Sequence, residues 1–307
     1  MSLFQNHAGI NVTSSKIQLV EVNYKDDCFY LENADEEFFN EFINFGSKET
    51  KIISVLQNAF NEIILRKPLN CNSVSFAFPH EFFRIIELPY EETLVKDDLL
   101  ENIKWELSVL YPETLNEEML IEPVQIPKNI ETKTAKIIII AAFKRYIKIV
   151  HKFCVRNNLN LKYVDNVHTA ANQLIAMEAV SNTDTLTATV FLGEKDFSFS
   201  ILKNSFPIHF SVNKFKNAAD ILNKISICRE KISEKNIQAN DIEKIYVFGD
   251  LVSDNFTAQL ENLFNISVVR YNPFKRIKIS GSLKNGEYIS DKNNSFVSAA
   301  GIAFRLV

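Results

Sequence analysis

The sequence predicts an α/β protein made of two duplicated halves, with a subdomain inserted into the first. Three observations predict it. Three short apolar runs followed by a helical stretch occur twice, first from Ile10 and again from Thr187, which is the mark of an internal duplication. Between Pro79 and Asn160 the texture changes, with prolines after Tyr111, Glu122 and Ile126. The chain has 307 residues, of which 46% are hydrophobic and 23% charged, enough for two domains with packed cores.

The opening stretch alternates Ile10 and Val12, then Ile17, Leu19, Val20 and Val22, then Phe29 and Leu31, around turns at Thr13-Ser14-Ser15 and Lys25-Asp26-Asp27. Three antiparallel strands follow from that pattern. Thr50 to Lys67 places Ile52, Ile53, Leu56, Phe60, Ile63 and Ile64 on one helical face and ends at Pro68. Val74 to Phe78 returns as a strand. Inside the insertion come an acidic-start helix from Asp97 to Leu110, a buried strand at Ile137, and a helix from Arg145 to Asn157. A strand from Leu161 to Val167 and a helix from Thr169 to Val180 lead back to the first domain. The second half then reads as strands near Thr187–Leu192, Ser198–Leu202 and Pro207–Val212, and a helix from Ala218 to Ile232. It closes with strand Lys244–Phe248, helix Ser253–Phe264, strand Ile266–Tyr271 and a helix around Phe296 to Leu306. A cleft is expected between the halves.

Composition excludes several functions. A net charge of -4 supplies no basic field for nucleic acid. The longest apolar run, Ile137 to Phe143, is far too short to span a bilayer, and MSLFQNHAG lacks the regions of a secretory signal. A cytosolic location is expected. Cys28, Cys71, Cys154 and Cys228 form no C-x-x-C pair, and the five histidines form no metal or hydrolase motif, so free buried thiols and no metal site are expected. Glycine is scarce, 7 in the whole chain, and phosphate loops depend on glycine.

Four strings occur in an order that resembles the PilM family of actin-fold type IV pilus assembly proteins, relatives of FtsA and of the GspL cytoplasmic domain. They are GINVTSSKIQLVE from Gly9, IIELPYEETLVKDDLLENIKWELSVLYP from Ile85, KIYVFGDLVSDNFTAQLENLFNISVVRYNPF from Lys244, and AAGIAFR from Ala299. The resemblance spans nearly the whole chain. It implies an actin-like (ribonuclease H-like, duplicated) fold with an FtsA/PilM-type inserted subdomain and a reduced second small subdomain. The implied domains are residues 1–78 and 161–185 for the first domain, 79–160 for the insertion and 186–307 for the second.

The family's Mg-ATP motifs are altered at every station. Asn11 stands for an aspartate and cannot give Mg²⁺ a carboxylate. Thr13 replaces a glycine; its β-branched side chain resists φ > 0 and crowds a phosphate. Aligned on the retained Gly193, Phe191 occupies the second acidic position and Phe197 a position usually Thr or Ser. Gly249-Asp250-Leu251 puts a carboxylate and a leucine into the glycine-rich turn. Ser14, Ser15 and Lys16 read either as residual phosphate donors or as a Ser-rich hairpin turn, the latter favoured. Only about one helix fits where the family has a small subdomain covering adenine. A pseudo-ATPase that binds no cofactor is expected, with an active ATPase of the same fold as the alternative.

Function would then reside in binding. The resemblance implies a groove between the first domain and the insertion that takes the cytoplasmic tail of a PilN-like bitopic inner-membrane protein, placing this chain at the inner membrane without a span of its own. Phe82, Phe83, Ile85, Ile86 and Leu88 lie in the corresponding stretch. On the Asp97 helix, Leu99, Leu100, Ile103, Leu107, Leu110 and Tyr111 form one apolar face, and Trp105 and Val109 fall opposite. Trp105, the single tryptophan, either packs against the Ile85-Ile86 strand or the neighbouring domain, or serves a partner. The leading reading is a scaffold of a pilus or related envelope platform; a GspL-like cytoplasmic domain remains open. An FtsA-like filament protein is disfavoured because the chain stops at GIAFRLV without a further amphipathic helix.

Overall fold

A computed structural model describes residues 6–26, 28–114, 118–126, 128, 134–179, 186–234, 237, 241–275, 277–280, 283 and 292–305. The first half is a mixed sheet in which β1 (His7–Val12), β2 (Lys16–Lys25) and β3 (Cys28–Phe38) run antiparallel, and β4 (Ser73–Phe78) and β8 (Asn160–Asn166) add parallel to β1. The second half repeats it with β9 (Leu186–Leu192), β10 (Asp196–Lys203), β11 (Phe206–Lys214), β12 (Ile242–Phe248) and β13 (Val268–Arg270), with α5 (Ala218–Glu234) between β11 and β12. The strand orders β3-β2-β1-β4-β8 and β11-β10-β9-β12-β13 are the same, so the duplication read from the pattern holds strand for strand. A short β14 (Lys278–Ile279) joins the edge of the first sheet beside β3.

Local chemistry sets the element ends. Lys67 precedes Pro68 and takes an extended backbone, φ -152° and ψ 112°, which stops α1 (Glu49–Arg66). Ser253 accepts the amide of Phe256 to cap α6 (Asp254–Phe264), and Asn265, left-handed at φ 57°, closes it. Asp26, Asn158, Asn204 and Ser205 take the other left-handed non-glycine positions among the described residues. Asn and Asp tolerate that region, so turns here are built with little glycine.

The inserted sheet has the order β5 (Phe83–Pro89), β7 (Lys136–Phe143), β6 (Met119–Ile126). Its strands alternate: Ile137, Ile139 and Ala141 pack under Leu99, Ile103 and Leu107 of α2 (Lys96–Leu110), while Ile138 and Ile140 face the second half. The α2 stripe is narrower than predicted, because Leu100 is half-buried and Leu110 is exposed. The helix α3 (Lys144–Arg156) buries Tyr146, Ile149, Val150, Phe153 and Cys154 in the first half's core beside α1, with Phe60 and Phe153 edge to face at 5.3 Å. An insertion drawn to residue 160 therefore cuts off a helix whose packing is that of the first domain.

Two helices cross between the sheets. α4 (Val167–Ala179) reaches β9 and β10 through His168 and Asn172, and α7 (Val297–Ala303), last in the chain, packs on β1, β2 and β4. The closing helix thus belongs to the first half's packing, although it follows the second in sequence. The predicted helix ends at Val180 and Leu306 lie outside the described residues. Where α4 and α7 meet, a Cβ on Gly301 would stand 2.0 Å from the Ala170 carbonyl oxygen. Between β10 and α4, His168 shares a 2.5 Å hydrogen bond with Ser198 Oγ and one of 2.8 Å with Thr189 Oγ1. Asn166 donates to His80 Nδ1 at 2.9 Å and accepts the His168 amide.

Two expectations follow. Gly301→Ala should destabilise by about 3 kcal/mol, since the neighbour that must yield is backbone; an unfolding midpoint equal to the parent's would contradict this packing. Burial lowers His80 to about 3 and His168 well below its ordinary value, so the unfolded chain takes up their protons first as pH falls below about 6.5. Asp196, raised to about 6 by burial, opposes them, and at lower pH so do Glu21, Glu81, Asp165 and Asp250, each also raised chiefly by burial. Stability should therefore fall between about pH 6.5 and 5, by on the order of 1 kcal/mol per pH unit, and His80→Gln should flatten that slope in urea titrations run across pH.

Candidate functional site

The β1–β2 and β9–β10 hairpins face each other across the cleft between the halves. The first turn is closed by its own side chain: Thr13 Oγ1 accepts the amides of Ser15 at 3.2 Å and Lys16 at 3.1 Å. Thr13 is not among the left-handed residues, so the strain expected of a β-branched residue there does not arise. Into this hydroxyl cluster comes Glu194, the residue after Gly193 at the tip of the opposite hairpin. Thr13 Oγ1 and Ser15 Oγ donate to its Oε1, the former at 3.2 Å, and Ser14 Oγ donates to Oε2. The first hairpin turn thus holds a carboxylate of the chain itself.

Lys16 is turned away from this cluster and buried. Its Nζ donates to Glu36 Oε2 at 2.8 Å and to Asp250 Oδ1 at 2.7 Å. Burial pulls its pKa down, but Asp250 and Glu36 outweigh that and hold it above its ordinary value. Gln18 donates to Glu36 at 3.1 Å and accepts from Asn11 at 2.9 Å, and Lys292 reaches the other Glu36 oxygen at 3.0 Å. The Asp250 carboxylate is thus Lys16's partner across the cleft. Gly249 is left-handed at φ 113°, and a Cβ there would meet the Leu192 carbonyl oxygen at 2.2 Å. This glycine serves strand-to-strand closure.

What remains of the cleft is a cavity of about 220 Å³ walled by Asn11, Thr13, Phe191, Glu194, Asp196 and Asp250. Small-molecule pockets run from about 300 to 1,000 Å³. A nucleotide would have to displace Glu194, would meet Phe191 where an acid is usual, and would find Lys16 already paired. The residues do not fit Mg-ATP. Among the described residues no three His, Cys, Asp or Glu side chains are placed to hold a metal ion. Burial raises the Cys71 and Cys154 thiols, which keeps them in the unreactive form. Phe197 is fully buried in the second half's core.

A second site lies between the first half and the insertion. A groove of about 420 Å³ runs between β6 and β8, walled by Leu120, Ile121, Ile140 and Ala142 on one side and Leu161 and Tyr163 on the other. Both β6 and β8 are edge strands among the described residues, so both sides offer unpaired main-chain groups. Leu120 is 50% exposed.

Of the residues assigned to partner binding from sequence, only Phe83 lines this groove. Phe82 is buried, stacked on Phe78 at 4.2 Å and beside Phe45 and Tyr146, so it is core. Phe83 itself is almost wholly buried. Ile86 and Leu88 pack with α2, and Ile85 wedges between the cores of the two halves. Trp105 is 62% and Val109 56% exposed on the outer side of α2, separated from the groove by that helix and the inserted sheet. Trp105 thus neither packs against the Ile85-Ile86 strand or the neighbouring domain nor reaches the groove. Glu194, Glu36, Leu120 and Tyr163 were missed. Glu194 had one available signal, an acid directly after the retained hairpin glycine; the others had none, because edge positions and cross-cleft pairs are not written in local pattern.

No protein-family model matches the chain, and no curated protein is similar to it in sequence. Solved structures are similar in fold. The chain superposes on a structure titled a PilM-PilN type IV pilus biogenesis complex with a TM-score of 0.77 and 14% identity over 99% of both chains. A protein of Bacteroides thetaiotaomicron described as having an actin-like ATPase fold and unknown function gives 0.57 at 10% identity, over 97% of this chain and 95% of that one. No helix among the described residues is long and apolar enough to cross a membrane. The fold is the actin-like ATPase fold, with the two-half architecture and insertion that the sequence resemblance implied.

Proposed function

We propose that this chain is a non-catalytic scaffold of a type IV pilus or related envelope assembly platform, cytoplasmic and held at the inner membrane by a partner. The observation that supports the loss of catalysis is Glu194 seated on the hydroxyls of Thr13, Ser14 and Ser15. A carboxylate bound by this hairpin ties the two halves together from within the chain, as a bound phosphate would from outside it. The observation that supports a binding role is the open groove between β6 and β8. An extended tail there gains main-chain hydrogen bonds along an exposed strand edge and apolar anchorage from Leu120, Ile140 and Tyr163, with no catalytic residue involved. By analogy with the PilM-PilN structure whose fold the chain shares, the tail is that of a PilN-like bitopic membrane protein.

Calorimetry should find no micromolar binding of Mg-ATP, and ATP should not raise the melting temperature through linkage. Glu194→Ala alone should not restore it, because Asn11, Phe191 and the Lys16–Asp250 pair persist; micromolar affinity in either protein would overturn the non-catalytic reading. For the groove, Leu120→Asp should weaken a tail peptide about thirtyfold, the factor that loss of a central anchor worth about 2 kcal/mol produces. Trp105→Ala should leave that affinity unchanged. The reverse result in fluorescence anisotropy would return the site to α2.

A further inference from the structure

α3 has a second face that neither the core nor the groove uses. Its 13 residues, KRYIKIVHKFCVR, contain five Lys or Arg and no Asp or Glu, in a chain whose net charge is -4. The apolar side is spent on the first half's core. Arg145, Lys148, His151, Lys152 and Arg156 are exposed on the other side, with Val155, 61% exposed, among them. Among the described residues Lys144 pairs with Glu118 at 3.1 Å and Lys152 with Glu49 at 2.7 Å, both pairs partly exposed, Lys148 also faces Glu118, and Arg145 donates to Tyr146 Oη at 2.8 Å. Lys148 and Arg156 make no ion pair among the described residues. Lys162, on the edge strand β8, adds an exposed cation next to the groove.

Position gives this stripe a partner. Ile147, between Lys144 and Lys148 on the same helix, lines the β6–β8 groove. A tail entering that groove from a membrane protein brings the bilayer within a few residues' reach of α3. We propose that the exposed face of α3 docks on anionic phospholipid headgroups of the membrane surface, orienting the scaffold with its groove toward the bilayer. Clusters of four to eight Lys or Arg on a helix suffice for such attraction, each adding about fivefold in affinity near an anionic surface. The helix cannot insert, since its apolar side is already buried, so the attachment is electrostatic, reversible and screened by salt. The choice of lipid over nucleic acid rests on the groove reading, and on a face that offers no Asn, Gln or exposed ring other than His151 for base contacts.

The test floats the whole chain on phosphatidylcholine vesicles with and without 30% phosphatidylglycerol, no partner protein being present. Binding should require phosphatidylglycerol and should be lost between about 0.05 and 0.5 M salt. The double substitution Lys148→Gln, Arg156→Gln should weaken it about 25-fold at two such increments, with circular dichroism and melting temperature unchanged. Lys104→Gln, Lys231→Gln, which removes equal charge elsewhere, should bind as the parent does. Absence of phosphatidylglycerol-dependent binding, or equal loss in both double variants, would overturn the proposal. So would tighter binding of a random DNA duplex than of the vesicles, abolished by the same α3 pair. Tail-peptide binding measured in parallel separates the two readings: vesicle binding without tail binding sinks the groove, and tail binding without vesicle binding sinks the lipid face.

Discussion

A buried ammonium is costly unless oppositely charged groups come with it, and Lys16 sets that condition for the whole cleft. Its stem lies in β2, one residue past the first hairpin turn, where the strand is packed on both sides. Glu36 arrives from β3 by ordinary antiparallel register, and Asp250 arrives from the turn after β12 in the other half. Removing Lys16 would strip Asp250 of its cation and leave buried Glu36 with Lys292 alone, and breaking a buried set of this kind typically costs about 3–5 kcal/mol. The two halves are therefore joined electrostatically across the cleft by Lys16 and Asp250.

Glu194 completes the same logic from the opposite side. Three hydroxyls at a hairpin tip form an anion cradle whether the anion is a phosphate or a carboxylate. Here the carboxylate comes from the protein itself; Thr13 uses its Oγ1 to close the turn, and Gly193 and Gly249 serve hairpin and strand packing. Among the described residues Asn and Asp supply four of the five left-handed non-glycine positions, which suits a chain with 7 glycines.

The crossed helices α4 and α7 and the His80–Asn166–His168 chain fill the space between the sheets. Open surface is found instead at the edges: β6 against β8, and the cationic outer face of α3. Binding functions fit edges and faces of this kind, since they use main-chain groups and surface charge and leave the rigid interior undisturbed.

The two duplicated halves and the helix over Asp97 to Leu110 were legible from period and proline placement, because these are local properties of the chain. The reading of Asn11 and Phe191 as departures from a nucleotide motif came from the family resemblance. What the cleft contains instead was decided by tertiary structure: Thr13 to Ser15 meet Glu194 across about 180 residues, and Lys16 meets Asp250 across more than 230. Helical spacing put Trp105 off the buried stripe, but only packing shows that the groove lies across the inserted sheet from it. Phe82 and Phe83 look from sequence like an interface and are largely core, since an aromatic side chain satisfies either place and local pattern does not say which neighbour covers it. Edge strands, cross-cleft ion pairs and the side of a sheet on which a groove opens depend on which elements pair, and pairing is a property of the assembled chain.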